Sequence, residues 1–221
     1  MSRHLQGEID RLMAKLLNIV AAARSAVEQA VESVQRRNAM LAQAIVDGDG
    51  DIDQAEVELE EECLKALALY QPVATNLRLI VSVLKINNDI ERIGDLAVNI
   101  AERALFLCAS PPSEIPAELN EMRVKALAML AGSVEALIHL DATQARKIRT
   151  MDDKVDDLNR TLFKVFTDGT RRHPEQLESL LSYLSVGRHL ERVADYATNI
   201  AEDIIYLVEG EIVRHKPTLP A

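Results

Sequence analysis

Apolar residues recur at three- and four-residue intervals along almost the whole chain. Leu5, Ile9, Leu12, Leu16, Ile19, Ala23, Ala26, Ala30 and Val34 form one stripe, the pattern of a long helix with one face in a core. A short helical piece follows from about Asn38 to Val46, and the run Asp47-Gly48-Asp49-Gly50-Asp51 breaks it. A second long helix reaches about Tyr70. Pro72 lies just inside the start of a third, where the missing N–H costs little, and that helix continues to about Cys108. Ser110-Pro111-Pro112-Ser113 then ends the first half. The second half predicts a helix from about Pro116 to His139, a short piece over Ala142 to Arg149 and a helix from Asp152 to Thr167 ended by Asp168-Gly169. A last helix runs from Pro174 to about Glu209. Strand-like alternation is absent from the sequence. The expected fold is all-α: two tandem, pseudo-symmetric three-helix bundles, residues 1–110 and 111–221, with antiparallel neighbours and a loose tail after Arg214.

A duplication underlies this plan. Glu91-Arg92-Ile93-Gly94-Asp95-Leu96-Ala97-Val98-Asn99-Ile100-Ala101-Glu102 returns, 100 residues later and without a gap, as Glu191-Arg192-Val193-Ala194-Asp195-Tyr196-Ala197-Thr198-Asn199-Ile200-Ala201-Glu202. Glu, Arg, Asp, Asn and the final Glu hold their identity while the apolar positions drift. An ordinary solvated face keeps polarity, not identity, so both copies are expected to use these groups for the same chemistry.

Composition narrows the classes. The 221 residues are 48% hydrophobic but only 3% aromatic, which suits helices packed through aliphatic side chains. The formal net charge of −10 opposes direct binding to nucleic-acid phosphates and gives no attraction to an anionic membrane surface. It suits cations or a basic protein partner. The two cysteines, Cys63 and Cys108, form no metal or redox motif and are read as reduced, buried residues of a cytosolic protein. No signal-peptide segment opens the sequence, and the apolar stretch from Leu16 to Ala23 is too short to span a bilayer.

The candidate chemistry is carboxylate. On a helix, Glu91, Asp95, Asn99 and Glu102 share one stripe opposite Ile90, Ile93, Ala97, Ile100 and Ala104. Asp49 and Asp53 lie one turn apart at the start of the preceding helix, and Asp152 and Asp156 hold the corresponding place in the second half. In an antiparallel hairpin, residues equidistant from the turn stand level. Asp53 with Glu91, and Asp49 with Asp95, both centre on Pro72. Asp156 with Glu191, and Asp152 with Asp195, both centre beside Pro174. Each acidic quartet therefore stands at one height, roughly 30 Å from its turn, with rotation about the helix axes left open. Four converging carboxylates need protons or a cation. All-oxygen ligation suits hard ions such as magnesium, calcium, manganese or iron. Arg92 and Arg192 are expected to orient the carboxylates or form surface pairs, and Asn99, Asn199, Glu102 and Glu202 are candidate outer partners.

Other chemistries fit less well. A ferritin-like di-metal site needs Glu-x-x-His, which the chain lacks. Asp47, Asp49, Asp51 and Asp53 echo a calcium loop, but Ile52 stands where glycine is required. No nucleophile elbow or phosphate-binding glycine loop occurs. His189 points away from Glu191, and Glu135 with His139 reads as a surface pair.

The duplicated Glu-Arg-Ile/Val-Gly/Ala-Asp motifs, Tyr70-Gln71-Pro72-Val73-Ala74-Thr75-Asn76-Leu77-Arg78 and the final helix through Val208-Glu209-Gly210 resemble the PhoU family over almost the whole chain. That resemblance implies two three-helix bundles carrying metal-binding acidic motifs. These map here onto Asp49, Asp53, Glu91 and Asp95, and onto Asp152, Asp156, Glu191 and Asp195, with iron, manganese, magnesium or zinc as candidate ions. It further implies a non-enzymatic negative regulator of phosphate uptake and starvation signalling. Such a regulator joins the ATPase subunit of a phosphate ABC transporter to a sensor histidine kinase, forms a homodimer, and meets the inner membrane only through those partners. Leu96 and Tyr196 stand where many members have His, Asn76 replaces an Asp, and Ala194 replaces a Gly, which leaves the metal's identity open. The rival expectation is a metal-dependent enzyme or metal-storage bundle using the same carboxylates.

Overall fold

In a computed structural model describing residues 3–214, the chain forms eight α-helices. These are α1 (Arg3–Arg36), α2 (Ala39–Asp47), α3 (Asp49–Tyr70), α4 (Ala74–Ala109), α5 (Ala117–His139), α6 (Ala142–Arg149), α7 (Asp152–Arg172) and α8 (Leu177–Glu209), with a 3₁₀ turn at Pro174–Gln176. No strand occurs among the described residues. The tail after Arg214 and the residues Met1 and Ser2 lie outside the described residues.

Each half repeats one device. Its first long helix ends on a left-handed residue, Arg37 (φ 48°) or Leu140 (φ 50°). The next residue caps the short helix. Asn38 Oδ1 accepts from the Leu41 amide, and Asp141 Oδ1 accepts from the amides of Thr143 and Gln144. Such caps satisfy amides that a helix start leaves unpaired, each stabilising by about 1 kcal/mol.

Several boundaries differ from expectation. Asp168-Gly169 does not end α7, which continues to Arg172. Gly169 sits inside the helix with a Leu180 methyl 3.1 Å from where its Cβ would be, so this glycine serves a close approach rather than a stop. Pro72 precedes α4 instead of entering it. Gln71, at φ 44°, closes α3 by donating to the Leu67 carbonyl. Of the Asp/Gly run only Gly48 separates two helices, and Asp49 already begins α3. A calcium loop is therefore not formed there.

Helices α4 and α8 lie antiparallel at the centre, with Lys85 Nζ 3.0 Å from Asp203 Oδ1 and, further along, Arg78 packed against the Gly210 turn. Around this pair, α1 and α3 cover α4, while α5 and α7 cover α8. Buried side chains of both halves merge into one core. Ile86, Ile90, Ile93 and Ile100 are fully buried, and each such side chain stabilises by about 1.5–3 kcal/mol relative to exposure. Cys63 is buried and Cys108 half-buried, both as free thiols, and burial pushes the Cys63 thiol up to about 12. No helix among the described residues is long and apolar enough to cross a membrane.

Candidate metal centre

The core positions of α4 and α8 fix the rotation that spacing alone left open. Ile90, Ile93, Ala97, Ile100 and Ala104 are all fully buried, which turns Glu91 and Asp95 toward the edge facing α3. At Gly94 the first turn of α3 comes close: Ile52 Cγ2 lies 3.4 Å, and Asp49 Oδ1 4.0 Å, from a Cβ position that this glycine leaves empty.

In the second half, Asp152 and Asp156 of α7 meet Asp195 of α8, each with a carboxylate oxygen within 4.8 Å of the others. Asp152 Oδ1 is buried without a hydrogen-bond partner. Burial and then the charges of Asp195 and Asp156 push the Asp152 carboxyl up to about 6. Asp195 keeps an exposed edge, yet burial of its carboxyl, then Glu191 and Asp156, raise it to about 6 as well. Glu191 thus belongs electrostatically to the group, although it stands outside the tightest trio. Arg192 makes no ion pair among the described residues.

In the first half the same four residues approach but do not form so close a trio among the described residues. Burial, then Asp53 and Asp95, raise Asp49, and burial, then Asp95, raise Glu91, with Asp53 and Glu56 adding to it. The difference is Arg92. Its Nε lies 3.3 Å from Glu91 Oε2 and its NH1 3.3 Å from Asp95 Oδ2. One guanidinium therefore pairs with both motif carboxylates along the α4 surface.

The outer residues divide. Asn99 Nδ2 donates to the Asp95 backbone carbonyl at 2.7 Å rather than to a carboxylate. Glu102 is exposed and lies 3.8 Å from Arg103. Glu202 pairs with Arg149 at 3.1 Å and reaches Arg214 at 4.0 Å. Asn199 and Glu202 line a cleft of about 530 Å³ with Lys85, Asp89 and Arg214, away from the carboxylates they follow in sequence. Leu96 is buried and offers no ligand atom, while the half-buried Tyr196 packs against the core.

Two residues escape the sequence reading. Glu56 continues the stripe of Asp49 and Asp53 by one more turn, and its carboxyl is raised by burial, then by Glu60 and Asp53. Asn87, almost wholly buried, donates through Nδ2 to the Glu56 carbonyl at 2.9 Å and to Glu56 Oε1 at 3.1 Å. The four- and seven-residue spacing from Asp49 was the available signal for Glu56. Nothing local marked Asn87.

An internally duplicated helical bundle with one carboxylate group per half is a tandem-repeat helical protein whose distinctive chemistry is acidic. The PhoU domain model matches twice, over residues 8–104 and 119–204. A phosphate-specific transport system accessory protein PhoU homolog of Aquifex aeolicus is 37% identical over 209 residues, covering 95% of each chain. Homolog 1 of Thermotoga maritima is 31% identical over 94% of this chain and 90% of its own. The crystal structure of PhoU from Pseudomonas aeruginosa superposes with a TM-score of 0.90 at 32% identity, over 93% of this chain and 99% of that one. That of the phosphate transport system regulatory protein PhoU from Streptococcus pneumoniae gives 0.88 at 29% identity, over 95% and 99%. The chain belongs to the PhoU family.

Proposed function

We propose that this chain is a regulatory accessory protein of phosphate transport. It restrains uptake and starvation signalling by joining a phosphate transporter's ATPase subunit to a membrane sensor histidine kinase. The observation that carries the reading is the full-length match to relatives named as phosphate-specific transport system accessory proteins. The protein acts by docking, as a homodimer that meets the membrane through its partners.

Metal belongs to the same proposal. Asp152, Asp156 and Asp195, with Glu191 beside them, offer an all-oxygen set suited to a hard divalent ion or iron. The unpartnered, buried Asp152 Oδ1 and the raised carboxyls fit a group that a cation would complete. Bound there, the ion supplies charge neutralisation, locking α7 to α8. Asp49, Asp53, Glu91 and Asp95 form the weaker counterpart.

The test is a tagged pull-down with gentle crosslinking from native cells grown in high and in low phosphate. Recovery of a transporter ATPase or sensor kinase that changes with phosphate is the expected result. Recovery of neither in both conditions would overturn the adaptor reading.

A further inference from the structure

The antiparallel α4–α8 seam opens into a cleft at each end, and the duplication relates the two. Residues 100 apart occupy equivalent places, so Lys85, Asn88, Asp89 and Arg103 correspond to Ser185, Arg188, His189 and Asp203. The charges have exchanged. At one end Lys85 and Arg214 approach the almost wholly buried Asp203, at 3.0 and 3.4 Å, and Arg149 holds Glu202, so cations and acids are matched. At the other end a cleft of about 470 Å³ is lined by Arg103, Arg188 and Ser185, with Phe106 and Leu181 as apolar wall and the exposed Glu178 among its residues. Among the described residues Arg103 pairs only with the exposed Glu102, at 3.8 Å. Arg188 has no ion pair among the described residues. Elsewhere Arg11, Arg24, Arg36, Arg146 and Arg160 each hold a carboxylate, while Arg37, Arg78, Arg123, Arg172 and Arg192 have no ion pair among the described residues; what sets Arg103 and Arg188 apart is that they share one cleft. In a chain of net charge −10, two guanidiniums sharing one cleft with so little acid to balance them mark an anion-seeking surface.

Further groups at this end agree. Ser185 Oγ lies 3.2 Å from His189 Nε2, while His189 Nδ1 is buried without a partner. Guanidinium forks match the geometry of phosphate-type oxyanions, which they can hold through paired N–H donors.

We infer that this cleft binds a phosphate-type oxyanion through Arg103 and Arg188, with the Ser185 hydroxyl as a further donor. The choice of phosphate over other oxyanions rests on the regulatory reading above; the anion site itself rests on the cleft. The phosphoryl group has two sources, free orthophosphate and a phosphorylated side chain on a partner.

Calorimetric titration of the full chain in a chloride buffer separates them, using inorganic phosphate, sulfate, and a short phosphoserine peptide with its unphosphorylated form. Saturable binding of phosphate or of the phosphopeptide is expected, with Arg103→Gln and Arg188→Gln each weakening it about tenfold. Glu178→Gln is expected to tighten it, and the remote exposed Arg160→Gln to leave it unchanged. His189 ring signals should shift on addition, at about tenfold higher ligand concentration in either arginine variant. No saturable binding of either phosphoryl probe, or equal loss in Arg160→Gln, overturns the inference. Such a failure leaves the partner pull-down untouched, so the two readings fall separately.

Discussion

The two halves of this chain carry the same acidic motif and hold it differently. In the second half Asp152, Asp156 and Asp195 crowd within 4.8 Å, and no arginine pairs with them among the described residues. In the first half Arg92 lies against both Glu91 and Asp95, and no equally close trio forms among the described residues. The same divergence runs along the α4–α8 seam. Its equivalent positions hold the buried Asp89, pushed up to about 7, and the half-buried His189, held down to about 4. Duplication fixes which residues stand level, but neighbours on other helices decide their charge state.

The largest effect expected from breaking this comparison is at Asp89. Its carboxyl is nearly buried and has no hydrogen bond or ion pair among the described residues. Burial, then the charge of Asp203, raises it to about 7 against the countering charges of Arg214 and Lys85. The folded state therefore keeps this proton where the unfolded chain releases it, and stability falls as pH rises from about 4 to about 7. Asp89→Asn removes that loss. The expected gain is nil near pH 4 and rises to about 4 kcal/mol at most by pH 8, three pKa units at about 1.4 kcal/mol each. Thermal melts across pH 4–8 check it. A gain independent of pH would show that the carboxylate is not the cause.

Next comes the contrast between the two acidic groups. With manganese as probe and equilibrium dialysis as readout, Asp152→Asn with Asp195→Asn should cost the tighter class of sites on the order of 100-fold in affinity, about 2.7 kcal/mol. Asp49→Asn with Asp95→Asn should cost several-fold less, and helicity should survive in both. Equal losses would mean that the geometric difference between the halves carries no binding consequence. Unchanged metal content in the second-half variant would remove the proposed centre altogether.

Packing beneath the two groups differs as well. Asn87 reaches across to Glu56, whereas its equivalent, Gly187, leaves room for Leu162. A Cβ at Gly187 would lie 2.3 Å from Leu162 Cδ2. Gly187→Ala must therefore push a buried leucine off its rotamer, at about 1–3 kcal/mol. Denaturant melts should show a lowered midpoint with an unchanged slope. A stabilised variant would mean that Leu162 repacks freely.

Much of this arrangement was legible in the sequence. Helical periodicity and the proline-bearing turns placed Asp53 level with Glu91 and Asp152 level with Asp195, and the electrostatic coupling across each hairpin agrees. Gly169 was misread because a glycine inside a helix, used for the approach of Leu180, looks the same in sequence as one that stops it. The seam escaped the reading for a deeper reason. Asn199 and Glu202 continue the acidic stripe in sequence, but they turn toward Lys85, Arg149 and Arg214, which only the packing of α4 on α8 brings near. Arg92 and Arg192 read alike, and the side-chain path that separates them depends on what each helix meets.

That separation gives the smallest and sharpest test. If Arg92 is what loosens the first-half group, Arg92→Gln frees Glu91 and Asp95 to turn toward Asp49 and Asp53. The pair is about half exposed, so its loss is worth well under 1 kcal/mol to the fold. Manganese affinity at the first-half group should rise two- to fivefold, toward that of the second half, while Arg192→Gln changes the second-half group less because no pair is broken there. Dialysis on a background carrying Asp152→Asn and Asp195→Asn isolates the first-half signal. If Arg92→Gln instead weakens binding, the guanidinium orients the carboxylates for the ion, and the looser first-half geometry has its origin in the approach of α3 at Gly94.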